Sequence, residues 1–264
     1  MTEPARDRLR VLLMVRRLRG RPDGSGAPEV LGRCERAALT VALTLRAERD
    51  AHVTAIAVGP ARREDRVLAM ALRAGCDAAV RVYDKQLHNL DYLGIANILA
   101  AAANHVGFDL ILCGDRSQDE RQGAIGPAVA ELLEVPHVSS AVTDLEIDDE
   151  GLIATRRTGG RIQRLRVATP AVVPIARFDR RNAAVETGES EDERALDDKP
   201  TPSRPPPRTL TALDLGALGL TPQELKHRAQ FLGRARPVRT TRHALVLPTA
   251  HDLVARLRED HLLE

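Results

Sequence analysis

The 264-residue chain has no tryptophan, and only 2% of its residues are aromatic. A protein that stacks single-stranded bases or encloses a flavin unaided uses more rings than Tyr83, Tyr92, Phe108, Phe178 and Phe231 supply. Cysteine is scarce too. Cys34, Cys76 and Cys113 lack the CxxC spacing of a metal or dithiol site, which predicts reduced, packed thiols and a cytoplasmic setting. Charge is almost balanced at a formal +2, so no overall basic field draws the chain to nucleic acid or to a membrane surface. Lysine occurs only at positions 85, 199 and 226 among 39 Lys and Arg residues, an arginine bias that reads as coding preference before any binding role. No apolar run is long enough for membrane insertion, and no secretory pattern is expected. The eight histidines lack ligand spacing, and no Ser/His/Asp or Cys/His constellation stands out, so neither a metal centre nor a nucleophilic site is predicted.

What is present is a 43% hydrophobic content arranged in alternating patterns, enough for one large domain with an appendage. Apolar runs at 11–15, 53–58, 78–82 and 110–113 are short enough for buried parallel strands. Helical spacing lies between them, over about 35–46, over about 63–74 ending at Gly75, and from Asp91 through Ala103, with a fourth helix over about 122–133. Because such crossovers are right-handed, the prediction is an α/β fold with a doubly wound, mostly parallel sheet.

The stretch Cys113-Gly-Asp-Arg-Ser-Gln-Asp-Glu-Arg-Gln-Gly-Ala-Ile-Gly126-Pro127 leaves a predicted strand and opens a predicted helix. Backbone N–H groups at a helix start are unpaired and lie at the positive end of the dipole, so this turn suits a phosphate. It has neither the Gly-Lys-Ser/Thr ending of a P-loop nor a dinucleotide fingerprint. A second reading needs no ligand: Asp119 as N-cap with Gln122 at the third helical position. If nucleotide binds there, bulk at Gly126 is expected to expel it without unfolding the sheet.

Beyond residue 140 the pattern changes. Runs at 142–147, 152–156 and 165–167, with turns at Asp148-Asp-Glu-Gly151 and Thr158-Gly-Gly160, predict a β-hairpin insertion, and 171–176 returns to the sheet. Arg156, Arg157, Arg161, Arg164 and Arg166 on the hairpin have two readings, a grip on pyrophosphate or an acidic partner, or a solvated edge that deters strand pairing. The expected organisation is an α/β domain over 1–185, an acidic and proline-rich linker over 186–207, and a C-terminal partner-binding arm over 208–264. Helix starts are legible at Thr221-Pro-Gln-Glu224 and Thr249-Ala-His-Asp252. The basic strip from Arg234 to His243 lacks aromatic interleaving and reads as a subunit contact, not a nucleic-acid site.

Taken in order, these pieces resemble the electron transfer flavoprotein beta subunit family over roughly residues 8–178. Arg10-Val-Leu-Leu-Met-Val-Arg-Arg17 is similar to its first strand and turn, and Glu35, Ala38, Leu39, Ala42, Leu43 and Leu45 to its first helix. Val53 through Gly59 and Pro60 resembles its second strand, and Ala69 through Asp77 is a loose counterpart of its Ala-Leu-Ala-Met-Gly-Ala-Asp segment. Phe108-Asp-Leu-Ile-Leu-Cys-Gly114 with the loop through Gly126-Pro127, Thr158-Gly-Gly160, and Pro170-Ala-Val-Val173 complete the likeness.

The resemblance implies an adenine nucleotide alpha hydrolase-like sheet in a heterodimer. An alpha subunit would make most contacts to flavin adenine dinucleotide (FAD), and the pair would carry electrons from a dehydrogenase redox partner to a downstream acceptor. It also implies adenosine monophosphate (AMP) buried in this chain, at positions that here are Met14, Val58, Gly114, Asp115, Ser117, Asp119, Gln122, Gly123, Ala124, Ile125 and Gly126. Such a subunit is a carrier and not an enzyme. A flavin-independent adenine-nucleotide sensor of the same α/β type is the other function class. Three departures stand out: Gly32-Arg33-Cys34-Glu35 replaces the family's Asn-Pro-x-Asp, the loop from Asp119 to Pro127 has lost hydroxyl and amide groups, and Arg180 through Glu186 replaces the Asn-x-Pro-Arg-Tyr signature. These changes point to a specialised branch, such as the flavoproteins that accompany mycofactocin.

Overall fold

A computed structural model describes residues 8–17, 31–85, 87, 90–117, 121–148, 150–176, 209–225, 247–260 and 263. The chain divides into two compact units, Met1–Arg228 and Ala229–Glu264. In the first, β1 (Arg10–Met14), α1 (Arg33–Arg49), β2 (His52–Val58), α2 (Ala61–Ala74), β3 (Ala78–Val82), α3 (Tyr92–Val106), β4 (Leu110–Gly114) and α4 (Ile125–Leu132) alternate as the periodicity predicts. Then come β5 (Ala141–Asp148), β6 (Gly151–Thr158), β7 (Arg161–Val167), β8 (Ala171–Ile175) and β9 (Thr209–Leu213).

One sheet holds all nine strands, in the order β7-β6-β5-β8-β4-β1-β2-β3-β9. Strands β8 to β9 across that order are parallel, while β6 runs antiparallel to β5 and to β7 as the predicted hairpin insertion. Alternation along each buried strand feeds two cores. Leu13, Ala55, Leu112 and Val173 pack with α1 and α2 on one face. Leu12, Ile56, Ile111 and Val172 pack with α3 and α4 on the other. The predicted fold class is therefore the observed one.

The strand starts are tied by aspartates. Asp77, just before β3, accepts the Val53 N–H at 2.9 Å and two bonds from Arg46 Nε at 2.9 and 3.0 Å. Asp109, just before β4, takes the Arg10 N–H at 2.8 Å and Arg10 Nη2 at 2.7 Å. Burial pushes both carboxyl groups up, but these bonds outweigh it and hold both below the usual carboxylate range. A carboxyl whose folded pKa is depressed contributes stability above its unfolded pKa, and that stability is lost as pH falls through the folded value. Asp77→Asn is thus expected to melt lower near neutral pH, by about 1–2 kcal/mol. It should also lose less stability than the native chain between about pH 5 and pH 2. Denaturant melts across that range check this; parallel acid curves would refute it.

Two elements differ from expectation. The fourth helix begins at Ile125 instead of about 122, because Arg121 (φ 53°) and Gly123 (φ 63°) adopt left-handed conformations that no α-helix accommodates. Its N-cap is Ala124, with no side-chain cap bond. The ligand-free capping arrangement of Asp119 and Gln122 also loses its helix, since Gln122 lies in the loop and Asp119 is outside the described residues. Strand β9 was not expected. It pairs in parallel with β3 from Ala78↔Thr209 to Val82↔Leu213, and Leu215 and Leu225 behind it are buried in the α3/α4 core. The start of the expected arm therefore belongs to the sheet.

At Thr221 the hydroxyl and N–H both bond Glu224 Oε2, at 2.8 and 2.7 Å, and residues 222–225 are turns. In the second unit, α5 (Ala250–Glu259) starts where the sequence predicts, with Thr249 Oγ1 accepting the Asp252 N–H at 3.2 Å. Leu253 and Val254 on it are exposed. The expected linker over 186–207 and the strip from Arg234 to His243 lie outside the described residues.

Candidate nucleotide site

Strand order reverses between β1 and β4: the chain builds β2 and β3 to one side of β1, then crosses to place β4 on the other. Ligands of open α/β sheets bind at the carboxyl ends of the strands beside such a reversal. A cavity of about 670 Å³ opens there, within the size range of small-molecule sites. Met14, Val58, Gly114, Asp115, Ser117, Gln122, Gly123, Ala124, Ile125 and Gly126 all line it. Asp119, the remaining expected residue, lies outside the described residues. Residues more than a hundred positions apart thus meet at one point.

The cavity has two kinds of wall. Val58, Leu90, Ile95 and Leu99 give an apolar surface on the α3 side, and Arg16, Arg17, Glu35 and Glu64 give a charged one. At the loop end, Pro127 has no N–H, so the first turn of α4 presents the N–H groups of Ile125 and Gly126. Asp115, which would repel an anion, has its carboxylate engaged elsewhere. Its Oδ1 accepts the Ser140 N–H at 2.8 Å and the Ser140 hydroxyl at 3.3 Å, tying the loop to the start of β5.

Two glycines serve packing as well as the site. A Cβ on Gly114 would lie 3.0 Å from the Glu35 nitrogen and 3.1 Å from Cys34 Cβ, so this glycine lets α1 approach β4. A Cβ on Gly126 would lie 2.7 Å from Pro174 Cγ and 3.1 Å from Cys113 Sγ. Gly126 is therefore a contact between α4 and the sheet, contrary to the expectation that bulk there spares the fold. Cys113 lines the cavity, but burial, with Asp115 and Glu35 nearby, pushes its thiol up to about 12. It is a protonated packing group at neutral pH, not a nucleophile.

Three of the hairpin arginines have partners within the hairpin sheet itself. Arg164 Nη2 bonds Glu146 at 2.7 Å, Arg166 Nη1 bonds Asp148 at 2.7 and 2.8 Å, and Arg156 Nε bonds Gln163 at 2.8 Å. Among the described residues, no group of three or more His, Cys, Asp or Glu is disposed to hold a metal ion. No helix among them is long and apolar enough to cross a membrane.

The sequence model described as "Electron transfer flavoprotein domain" matches residues 25–195. The chain belongs to the electron transfer flavoprotein domain family. Its relatives include proteins named electron transfer flavoprotein subunit beta. That of Clostridium acetobutylicum is 29% identical over 148 residues, covering 56% of each chain. That of Bacillus subtilis is 30% identical over 155 residues, covering 58% of this chain and 60% of the relative. That of Methylophilus methylotrophus is 31% identical over 131 residues, covering 48% and 49%. The chain thus matches between about half and 60% of the length of these relatives. The elements from α1 to α4 and the loop from Gly114 to Gly126 fall inside the family match, which begins after β1.

The sequence reading missed Glu35 and Glu64 as cavity residues. Both are acidic residues in the first turn of a helix that follows a sheet strand, a position whose geometry points back toward the strand ends.

Proposed function

We propose that this chain is the beta subunit of a heterodimeric electron transfer flavoprotein, a carrier and not an enzyme. Its alpha subunit would hold most of an FAD that takes electrons from a dehydrogenase and passes them to a downstream acceptor. The observation that carries the reading is the cavity at the β1/β4 reversal, lined by ten of the expected nucleotide residues in a chain of this family. In this proposal AMP occupies the cavity, with its base on the α3 side and its phosphate at the N–H groups of Ile125 and Gly126. The wall chemistry fits such a molecule, apolar at one end and donor-rich at the other.

For FAD the fit is partial. Hairpin arginines Arg164 and Arg166 are engaged with carboxylates, and few rings are available to stack an isoalloxazine. That supports a subunit contributing one edge of a flavin site. When bound, FAD supplies the redox chemistry; this chain's part is to hold its own nucleotide and dock the partner. Free thiols at Cys34, Cys76 and Cys113 favour a cytoplasmic setting. The altered signature at Arg180–Glu186 makes a specialised branch, of the mycofactocin-accompanying kind, part of the proposal.

Purified alone, the chain is expected to show no flavin absorbance. Co-expressed with an alpha-type partner, it should yield a yellow complex with one flavin per pair. Stoichiometric flavin in the isolated chain would sink the shared-site reading. Nucleotide without flavin in every complex would favour the sensor class instead.

A further inference from the structure

We propose that Glu64 recognises the ribose hydroxyls of the bound nucleotide, an inference that rests on reading the cavity as a nucleotide site. Glu64 is only 5% exposed, yet it lines the cavity. A charge this far from water needs hydrogen-bonding partners to stay ionised. Its position in the first turn of α2 favours the anion through the helix dipole.

The local backbone is shaped around this side chain. Gly59, directly after β2, has φ +148°, and a Cβ there would sit 2.8 Å from Glu64 Cγ and 3.0 Å from Oε1. The absence of that Cβ lets the carboxylate lie across the end of β2. From there it reaches the end of β1, where Oε2 accepts the Arg17 N–H at 3.3 Å.

Glu64 thus lines the cavity at the ends of β1 and β2, and with the base on the α3 side and the phosphate at the loop, as proposed above, the sugar joining them would pass these strand ends. An ionised carboxylate is an acceptor with about four lone-pair sites, which suits two adjacent hydroxyl donors. Dinucleotide-binding folds of the doubly wound class use an acidic side chain in the same way, to accept a ribose hydroxyl. The competing account makes Glu64 only a prop for the Arg17 backbone, a task a glutamine oxygen performs equally well.

The full 264-residue chain, stripped of nucleotide, is titrated calorimetrically with AMP and with 2′,3′-dideoxy-AMP. The native chain should bind the dideoxy analogue about tenfold or more weakly, as expected for losing charge-assisted bonds. Glu64→Gln should weaken AMP by a similar factor and leave the dideoxy analogue within about twofold, so that the gap closes. Its melting curve without nucleotide reports folding separately.

No weakening of either ligand, or equal weakening of both, with the gap intact assigns Glu64 to propping and overturns the proposal. So does a native chain that does not distinguish them. Should Glu64→Gln fail to fold, Glu64→Asp, which keeps the charge but withdraws the carboxylate, decides: a smaller gap supports recognition and an undiminished one refutes it. A native chain that binds neither ligand fells the reading of the cavity, and this inference with it.

Discussion

Ending the chain at residue 208 lowers its melting temperature on the order of 10 °C below that of a chain ending at residue 228. The second truncation removes the unit Ala229–Glu264, so the difference isolates residues 209–228. Those residues supply β9, which caps the β3 edge with a five-residue parallel ladder. They also supply Leu215 and Leu225, which are 2% and 1% exposed in the α3/α4 core. Burying two leucine side chains stabilises by about 3–6 kcal/mol. For a unit of this size each kcal/mol moves the melting point by about 2–4 °C. The loss also bares a strand edge, so the shorter chain should aggregate on heating. Scanning calorimetry of the two truncations makes the comparison, and equal melting temperatures would show that β9 contributes nothing to the sheet. Heterodimer assembly by the full chain and by the chain ending at residue 228 separately tests whether residues 229–264 serve the partner.

Replacing Gly126 by valine has the second large effect, and it acts through packing before it acts through a ligand. The new Cβ falls within 2.7 Å of Pro174 Cγ and 3.1 Å of Cys113 Sγ, distances that force α4 away from β4 and β8. Overpacking of this kind costs about 1–3 kcal/mol, and a β-branched residue in the first turn leaves few rotamers to relieve it. Displacing α4 also moves the N–H groups of Ile125 and Gly126, so the variant should lose stability and, with AMP bound as proposed, nucleotide as well. If nucleotide is lost while the nucleotide-free protein melts as the native chain does, Gly126 acts on the ligand alone and this account is wrong.

The contrast between those two positions shows how far local pattern carries. Runs such as Val53 to Val58 and Leu110 to Cys113 are short, continuous and apolar because both faces are covered, and that is visible residue by residue. Gly75 ends α2 with its N–H on Ala71 and Leu72, and Asp91 caps α3 by accepting the Gly94 N–H, both in keeping with the turn chemistry. Cavity residues such as Gly114, Ser117, Gln122 and Gly126 were legible because a loop between strand and helix in this fold class faces the strand ends. Strand β9 was not, because Thr-Leu-Thr-Ala-Leu carries no stronger signal than many surface segments, and its partner β3 lies more than a hundred residues earlier. The start of α4 was misjudged for a related reason. The periodicity of Val129 and Ala130 extends a helix backward until something stops it, and the left-handed turns at Arg121 and Gly123 that stop it depend on how the loop closes over Asp115.

By itself, then, the sequence determined the alternation of strands and helices, the parallel sheet, the hairpin insertion, and the loop that belongs at the strand ends. These follow from side-chain periodicity and turn propensity, which act over a few residues. Only the tertiary structure decided that Glu64 passes beneath Gly59 to reach Arg17, that the Asp115 carboxylate is held by Ser140, and that the arm begins as an edge strand. Each depends on which distant segments pack side by side, and close packing of a whole core settles that, not the preference of any one stretch.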